Sequence, residues 1–270
     1  GNLSISNIVQ FFFESTKMIQ HENSTNIDLF LKKMFIVIFL YLTKHENEQS
    51  FLFVFLAHLY YNNKEIIEKD LVKVKKYYEI SANLNNKYAI NILGILYLNG
   101  EGVDKNYFKA KQYFELSAKQ NFPYAYNNLG LIYRKGYGVK QDYSKAFEYY
   151  EKSAKLNNSH ALHLLGYMTA NGQGVKQNYL KAKEYYELSA KRNNSTALLY
   201  LGNLYERGLG VKKDYIKAKE YYEKSARLNH PSEPYEIGRL YFYGLGFRKD
   251  YSITKEYFEL SAKNDDSDAL

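Results

Sequence analysis

Gly94, Gly130, Gly166, Gly202 and Gly238 stand 36 residues apart without an insertion or deletion between them. A second ladder keeps step: Gly100-Glu-Gly102-Val103, Gly136-Tyr-Gly138-Val139, Gly172-Gln-Gly174-Val175, Gly208-Leu-Gly210-Val211 and Gly244-Leu-Gly246-Phe247. A third is Ser117-Ala118, Ser153-Ala154, Ser189-Ala190, Ser225-Ala226 and Ser261-Ala262. A fixed period of this length means one supersecondary unit copied and stacked. Each copy then contacts its neighbours, and no catalytic pocket is built into the architecture.

The copy between Ala125 and Asn157 shows what the unit must be. Ala125, Leu129, Ile132 and Tyr133 carry the spacing of an amphipathic helix. Gly136 ends that helix, because glycine adopts the left-handed conformation that commonly closes one. Val139 follows as an anchor between two helices. Asp142 is a good N-cap for the second, along which Tyr143, Ala146, Tyr150, Ser153 and Ala154 form one stripe. Lys152 and Lys155 suit the negative end of the helix dipole. Asn157-Asn158 ends this helix, and Ser159 is expected to cap the next. Each repeat is therefore a helix-turn-helix hairpin. A mid-helix glycine costs about 1 kcal/mol relative to alanine, so Gly130 and its equivalents require a compensating close approach, expected through Ala146 and Ala154.

The pattern Ala-x-x-x-Leu-Gly-x-x-Tyr-x-x-Gly-x-Gly-Val-x-x-Asp-Tyr-x-Lys-Ala-x-x-Tyr-Tyr-Glu-x-Ser-Ala closely resembles the Sel-1-like repeat, a relative of the tetratricopeptide repeat. Tetratricopeptide repeats run at 34 residues, so the period and the Gly-x-Gly-Val turn favour the Sel-1-like form. The resemblance covers about residues 50 to 270. It implies an all-α fold, a right-handed α/α superhelical solenoid of helix-turn-helix hairpins, and service as an adaptor for protein complexes, including membrane-protein quality control and signalling assemblies. Cysteine-rich bacterial members staple each repeat with a disulfide; this chain has no cysteine.

The pattern departs at both ends. Counting back 36 from Gly94 gives His58, and the turn glycines become Lys64 and Ile66, whereas Tyr77-Tyr78-Glu79 and Ser81-Ala82 keep the second-helix pattern. Residues 50–86 are expected to be a degenerate capping repeat, followed by five repeats over 87–270. Residues 1–49 lack the period and read as two helices, 7–18 and 26–44, packed on the array. The run from Phe35 to Leu42 belongs to an apolar stretch of about 14 residues that includes Lys32 and Lys33, short of the roughly 20 a membrane span needs. Pro231, Glu233 and Pro234 forecast a shifted or shortened first helix in the last repeat, where Ile253-Thr254 replaces Lys-Ala. Ala269-Leu270 falls where a further first helix would begin, and the chain opens on Gly1, so a segment of something longer is the expectation. No signal peptide is visible, and a cytoplasmic location is expected.

Tyrosine and phenylalanine number 30 and 16, most of them assigned to the space between helices. Without cysteine, neither a disulfide framework nor a thiol nucleophile is available. The net charge of +8 lies almost wholly in residues 87–270. Lys109, Lys145, Lys181 and Lys217 recur on the second helices among glutamates, the mark of a solvated face laced by i,i+4 pairs. Asn-x-Ser/Thr sequons such as Asn193-Asn194-Ser195 are expected by chance in a chain so rich in asparagine.

The Gly-x-Gly-Val segments are turns and not phosphate loops, since a helix and not a strand precedes each. His160 and His163 share a helix face, but without a third ligand they read as a polar face and not a metal site. Asp265, Asp266 and Asp268 read as solvated residues at a helix start. No nucleophile–base pair, metal set or cofactor loop emerges, so no catalytic residue, metal or cofactor is expected.

The working surface is then geometric. Positions −6, −3, +1, +4 and +5 from each first-helix glycine form one contiguous stripe, which in related helical solenoids lines the concave groove. It comprises Tyr124, Asn127, Leu131, Arg134 and Lys135; His160, His163, Tyr167 and Asn171; Leu199, Asn203, Glu206 and Arg207; and Tyr235, Arg239, Phe242 and Tyr243. These residues vary between copies while the core does not, and Tyr, Arg and Phe are favoured interface anchors. The leading expectation is a protein-binding adaptor holding a segment or helix of a partner protein in this groove. The alternative is the regulatory or targeting region of a larger enzyme such as a protein kinase. RNA binding, as in arrays that read one base per repeat, is disfavoured because the lysines lie on the wrong helix.

Overall fold

The computed structural model describes residues 54, 71–228 and 233–267. Among the described residues there are eleven α-helices and no strand. The expectations for residues 1–49 and the apolar run 35–42 lie outside the described residues. The chain divides into two compact units, residues 1–120 and 121–270.

In the first unit α1 (Leu71–Asn83) packs on α2 (Lys87–Asn99), which pairs with α3 (Tyr107–Ala118). α1 carries the Tyr-Tyr-Glu and Ser-Ala motifs and is thus the second helix of the degenerate repeat. Val74, Tyr78, Ala89, Leu93 and Leu96 form the core, with Val103 of the Gly-x-Gly-Val turn packed against it.

The second unit contains four hairpins: α4 (Pro123–Lys135) with α5 (Tyr143–Lys155), α6 (Ser159–Asn171) with α7 (Tyr179–Ala190), α8 (Ser195–Arg207) with α9 (Tyr215–Ala226), and α10 (Glu233–Tyr243) with α11 (Tyr251–Ser267). Successive hairpins stack through α5 on α6, α7 on α8 and α9 on α10. This is the all-α hairpin array that the glycine ladder implies.

The local chemistry of the hairpin follows the sequence closely. The first helix closes on glycine at φ +66 to +71 in α4, α6 and α8. Asp142 caps α5 by accepting from the Lys145 N–H at 2.9 Å. The first helices α6 and α8 are capped by asparagine and not by the serine expected, and α4 has no side-chain cap. Asn158, not Ser159, accepts from the N–H groups of His160 and Ala161, and Ser159 is the first helical residue. The preceding asparagine makes the turn: Asn85, Asn121, Asn157 and Asn193 all take φ between +55 and +67, a region that asparagine tolerates better than most residues. In the last hairpin Asp265 holds that position, and α11 runs through it to Ser267. Asp265 and Asp266 therefore sit at the end of a helix and not at a helix start.

Close approach to the mid-helix glycine does occur, but the facing group is not alanine. A Cβ on Gly130 would lie 2.5 Å from Cε1 of Tyr150, and one on Gly166 would lie 2.6 Å from Cε1 of Tyr186. The rings of Phe114, Tyr222 and Phe258 face Gly94, Gly202 and Gly238 in the same way. An aromatic ring set against a bare helix backbone fills the hairpin, and glycine is the residue that leaves room for it. The recurrent serine has its own task. Ser117, Ser153, Ser189 and Ser225 each donate a hydrogen bond of 2.7–2.8 Å to the first-turn carbonyl of their partner helix (Lys87, Pro123, Ser159 and Ser195). The last first helix, α10, has 11 residues against 13 in α4, α6 and α8; residues 229–232 lie outside the described residues. Thr254, in place of alanine, is buried and donates to the Asp250 carbonyl at 2.7 Å.

Candidate functional site

All 17 stripe residues lie in the second unit, on α4, α6, α8 and α10. Neighbouring first helices touch through them. The Arg134 guanidinium lies 6.0 Å from the centre of the Tyr167 ring, and Tyr167 meets Tyr200 of α8 at 5.9 Å. Arg239 of α10 bonds both carboxylate oxygens of Glu206 at 2.6 Å and, within its own helix, Glu236 at 2.8 Å. The stripe is thus a row of side chains crossing four hairpins.

Its members divide by exposure. Tyr124, Tyr235, Phe242 and Tyr243 are 41–57% exposed, and Lys135, His160, Asn171 and Arg207 are exposed as well. Asn127, Leu131, Arg134, Tyr167, Leu199, Asn203, Glu206 and Arg239 are half-buried. His163 is only 6% exposed and forms part of the floor. Leu199 packs against the core between α9 and α10. Asn203, Glu206 and Arg239 are engaged internally: the Tyr222 hydroxyl lies 2.8 Å from both Asn203 Oδ1 and Glu206 Oε2. A phenol has one proton, so with the Asn203 amide turned to donate, that proton goes to the Glu206 carboxylate.

The hydroxyls beneath the stripe are the feature missing from the sequence reading. Tyr150, Tyr186 and Tyr222 are buried, yet their hydroxyls end under the first-helix face. The signal was Tyr at these three positions where Phe114 and Phe258 stand in the flanking repeats. A buried hydroxyl asks for a polar partner. Burial pushes Tyr150 up to about 12, with the Arg134 guanidinium opposing the shift. Burial likewise raises Tyr222, reinforced by the negative charge of Glu206. His163 is pushed down to about 3, first by burial and then by His160 and Arg134. His160, exposed as a residue but with its ring partly covered, is lowered by desolvation and by Arg134. The two imidazoles meet edge to face at 4.4 Å. Among the described residues no group of three or more His, Asp or Glu side chains is placed to hold a metal ion.

The second helices present a different face. Lys75–Glu79, Lys111–Glu115, Lys183–Glu187, Lys219–Glu223 and Lys255–Glu259 pair at i,i+4. Lys109, Lys145 and Lys217 lie over Tyr97, Tyr133 and Tyr205 at 4.3–5.3 Å. Position 169 is threonine where those tyrosines stand, and Lys181 pairs instead with Glu184 at 2.8 Å. The four lysines named from the sequence are therefore not the ones in i,i+4 pairs: three lie over tyrosine rings, one pairs at i,i+3, and the i,i+4 partners of glutamate are the lysines two positions on in the repeat.

An all-α chain of repeated hairpins, each closed internally by a glycine-on-aromatic contact, defines a helical repeat protein. The Sel1 repeat matches residues 54–86, 87–122, 123–158, 159–194, 195–230 and 235–266, and the chain belongs to the Sel1 repeat family. A Sel1 repeat protein from Oxalobacter formigenes is 27% identical with a TM-score of 0.75, over 83% of this chain and 92% of that one. A protective antigen of uropathogenic Escherichia coli strains, with an SLR fold, is 28% identical with a TM-score of 0.69 over 82% of this chain. The match spans 47% of the antigen's own length. An immunity protein from Pseudomonas aeruginosa, 22% identical with a TM-score of 0.58 over 80% of this chain and 82% of that one, shares the fold. No match was found among curated proteins. Sel1 repeat proteins generally mediate protein–protein interaction, and their solenoid is typically a non-catalytic scaffold. Among the described residues no helix is long and apolar enough to cross a membrane.

Proposed function

We propose that the chain is an adaptor whose first-helix face on α4, α6, α8 and α10 holds an extended segment or a helix of a partner protein. One observation carries this reading: the first helices leave Tyr124, Tyr235, Phe242 and Tyr243 41–57% exposed, next to Lys135, Asn171 and Arg207. Large aromatics and arginine at the centre of a surface are the usual anchors of an interface. The second-helix face is a poorer candidate, because its repeated charges are paired locally.

Affinity purification with Tyr124→Ala, Tyr235→Ala and Tyr243→Ala, beside the second-helix controls Glu148→Ala and Leu180→Ser, tests the assignment. The first set is expected to lose the partners that the unmutated chain and the controls retain. Equal recovery from both sets would remove the first-helix face as the binding surface.

A further inference from the structure

Four buried polar atoms on α4, α5 and α6 lack a hydrogen bond of good geometry: Asn127 Oδ1, Arg134 Nε, Tyr150 Oη and His163 Nδ1, with the Arg134 guanidinium only a weak donor to the Tyr150 hydroxyl. Tyr150 is fully buried and His163 is more than nine-tenths buried. A buried polar atom without a partner costs about 1–3 kcal/mol, so several on adjoining helices call for an explanation. The chain supplies one by comparison with itself. Two hairpins on, the residue matching Arg134 is Glu206. Its carboxylate accepts from the Tyr222 hydroxyl below and from the Arg239 guanidinium alongside. The Glu206 site shows that a tyrosine hydroxyl and an arginine at this level of the hairpin are satisfied by a carboxylate between them.

Around Tyr150 the arginine, the phenol and an imidazole are present without a carboxylate from α4 or α6, while the orphaned Asn127 atom is an amide oxygen. The Arg134 guanidinium bears on the Tyr150 hydroxyl and on both imidazoles, and His160 touches His163. Neither α4 nor α6 contains a single aspartate or glutamate. We propose that Arg134, Tyr150 and His163, with His160 at the margin, form a carboxylate-binding anchor for an acidic side chain or C-terminus of the partner segment. Arginine gives a charge-assisted bond, which is roughly twice as strong as a neutral one. The phenol and an imidazole N–H add two further donors. The anchor rests on the reading of the first-helix face as the binding surface and specifies what that face recognises in its first two hairpins.

The test uses the full chain with isotope-labelled histidine and arginine side chains. It is titrated at constant ionic strength with N-acetyl-glutamate N-methylamide, its glutamine counterpart, N-acetyl-Gly-Ala with a free carboxylate, and the C-terminal amide of that dipeptide. Saturable shifts of the His163 Cε1–H and Arg134 Nε–H resonances are expected with an acid and not with its amide. The acid that saturates at the lower concentration tells a side chain from a terminus. Arg134→Gln is expected to weaken binding about tenfold or more, the scale of one lost charge-assisted bond. Tyr150→Phe, which reproduces the residue found at 114 and 258 and so preserves the hairpin, should weaken it several-fold. Lys191→Gln, an exposed charge beyond the end of α7 and off this face, should leave it unchanged. Equal shifts with acid and amide, no saturable shift with either acid, or full binding by Arg134→Gln and Tyr150→Phe each overturn the anchor. A failed anchor is separable from a failed surface: partners would still be captured, and still be lost with Tyr124→Ala and Tyr235→Ala.

Discussion

Replacing Gly166 by alanine sets two effects of known sign against each other. Alanine in a helix interior is about 1 kcal/mol better than glycine, so a solvent-facing glycine here would gain from the change. The new methyl would instead lie 2.6 and 2.7 Å from Cε1 and Cδ1 of Tyr186, against the ~3.5–4.0 Å of a relaxed carbon–carbon contact. The ring cannot swing away, because Tyr186 is 1% exposed and stacked on Tyr200 at 5.1 Å. Opening the hairpin by close to an ångström belongs to the upper part of the ~1–3 kcal/mol range for overpacking. Gly166→Ala is therefore expected to lose about 1–2 kcal/mol net in urea unfolding followed by far-ultraviolet circular dichroism. In a Tyr186→Leu background the obstruction is gone and the helix-propensity gain remains, so the same change should stabilise by up to about 1 kcal/mol. A coupling of about 2–3 kcal/mol with inverted sign is the signature. A Gly166→Ala chain as stable as its parent, or an equal loss in both backgrounds, would refute the assignment of this glycine to the aromatic ring.

The paired turn glycines separate conformational strain from stacking. Gly172 and Gly174 both have φ near +70, but a Cβ on Gly172 meets nothing closer than 3.4 Å, whereas one on Gly174 would lie 2.5 Å from the Tyr143 carbonyl carbon of the preceding hairpin. In the same urea assay Gly172→Ala should cost about 1 kcal/mol from strain alone, and Gly174→Ala at least about 2 kcal/mol more as hairpins are forced apart; equal losses would contradict this. Arg239→Met strands Glu206, whose side chain is 12% exposed beside the Tyr222 hydroxyl, and should destabilise by about 3 kcal/mol, with Glu206→Gln restoring part of it; a double variant no better than the single one would count against that network. His163, lowered from 6.5 to about 3, resists protonation when folded, so its contribution is complete above pH 6.5 and is lost progressively as pH falls towards 3. At about pH 5 this one residue should remove roughly 2 kcal/mol, and His163→Leu, which places the residue found at 199, should flatten that part of the stability–pH profile; an unchanged slope would show that the imidazole is not the titrating group.

Much of this architecture was legible because each repeated residue has one local cause. Gly136, Asp142 and Tyr150 do what helix ends, caps and amphipathic stripes dictate. What escaped was pairwise geometry. The sequence shows that Gly130 must face something close, but Ala146, Ala154 and Tyr150 all lie on the apposed stripe, and only the helix rotation selects the ring. Ser159 and Asn158 are both capable N-caps, and the backbone turn at Asn157 selects the asparagine. The serine ladder was legible as a repeat but not as a bond, because its acceptor lies 30 residues earlier.

The stripe residues expose a further limit of periodicity, one with a physical consequence for recognition. Helical phase assigned equal status to Arg134, Glu206 and Arg239, yet phase cannot tell whether a side chain reaches outwards or sideways to the next repeat. Glu206 and Arg239 have opposite charge on adjacent first helices and satisfy each other. Arg134 has no acidic residue on its own helix or on α6 to turn to. Stacking and binding therefore draw on the same positions, and the residues facing across the boundary between two hairpins decide which use a position serves. Where the neighbours are complementary, the interaction is internal and the surface is fixed. Where they are not, as between α4 and α6, the unmet donors are what a partner can address.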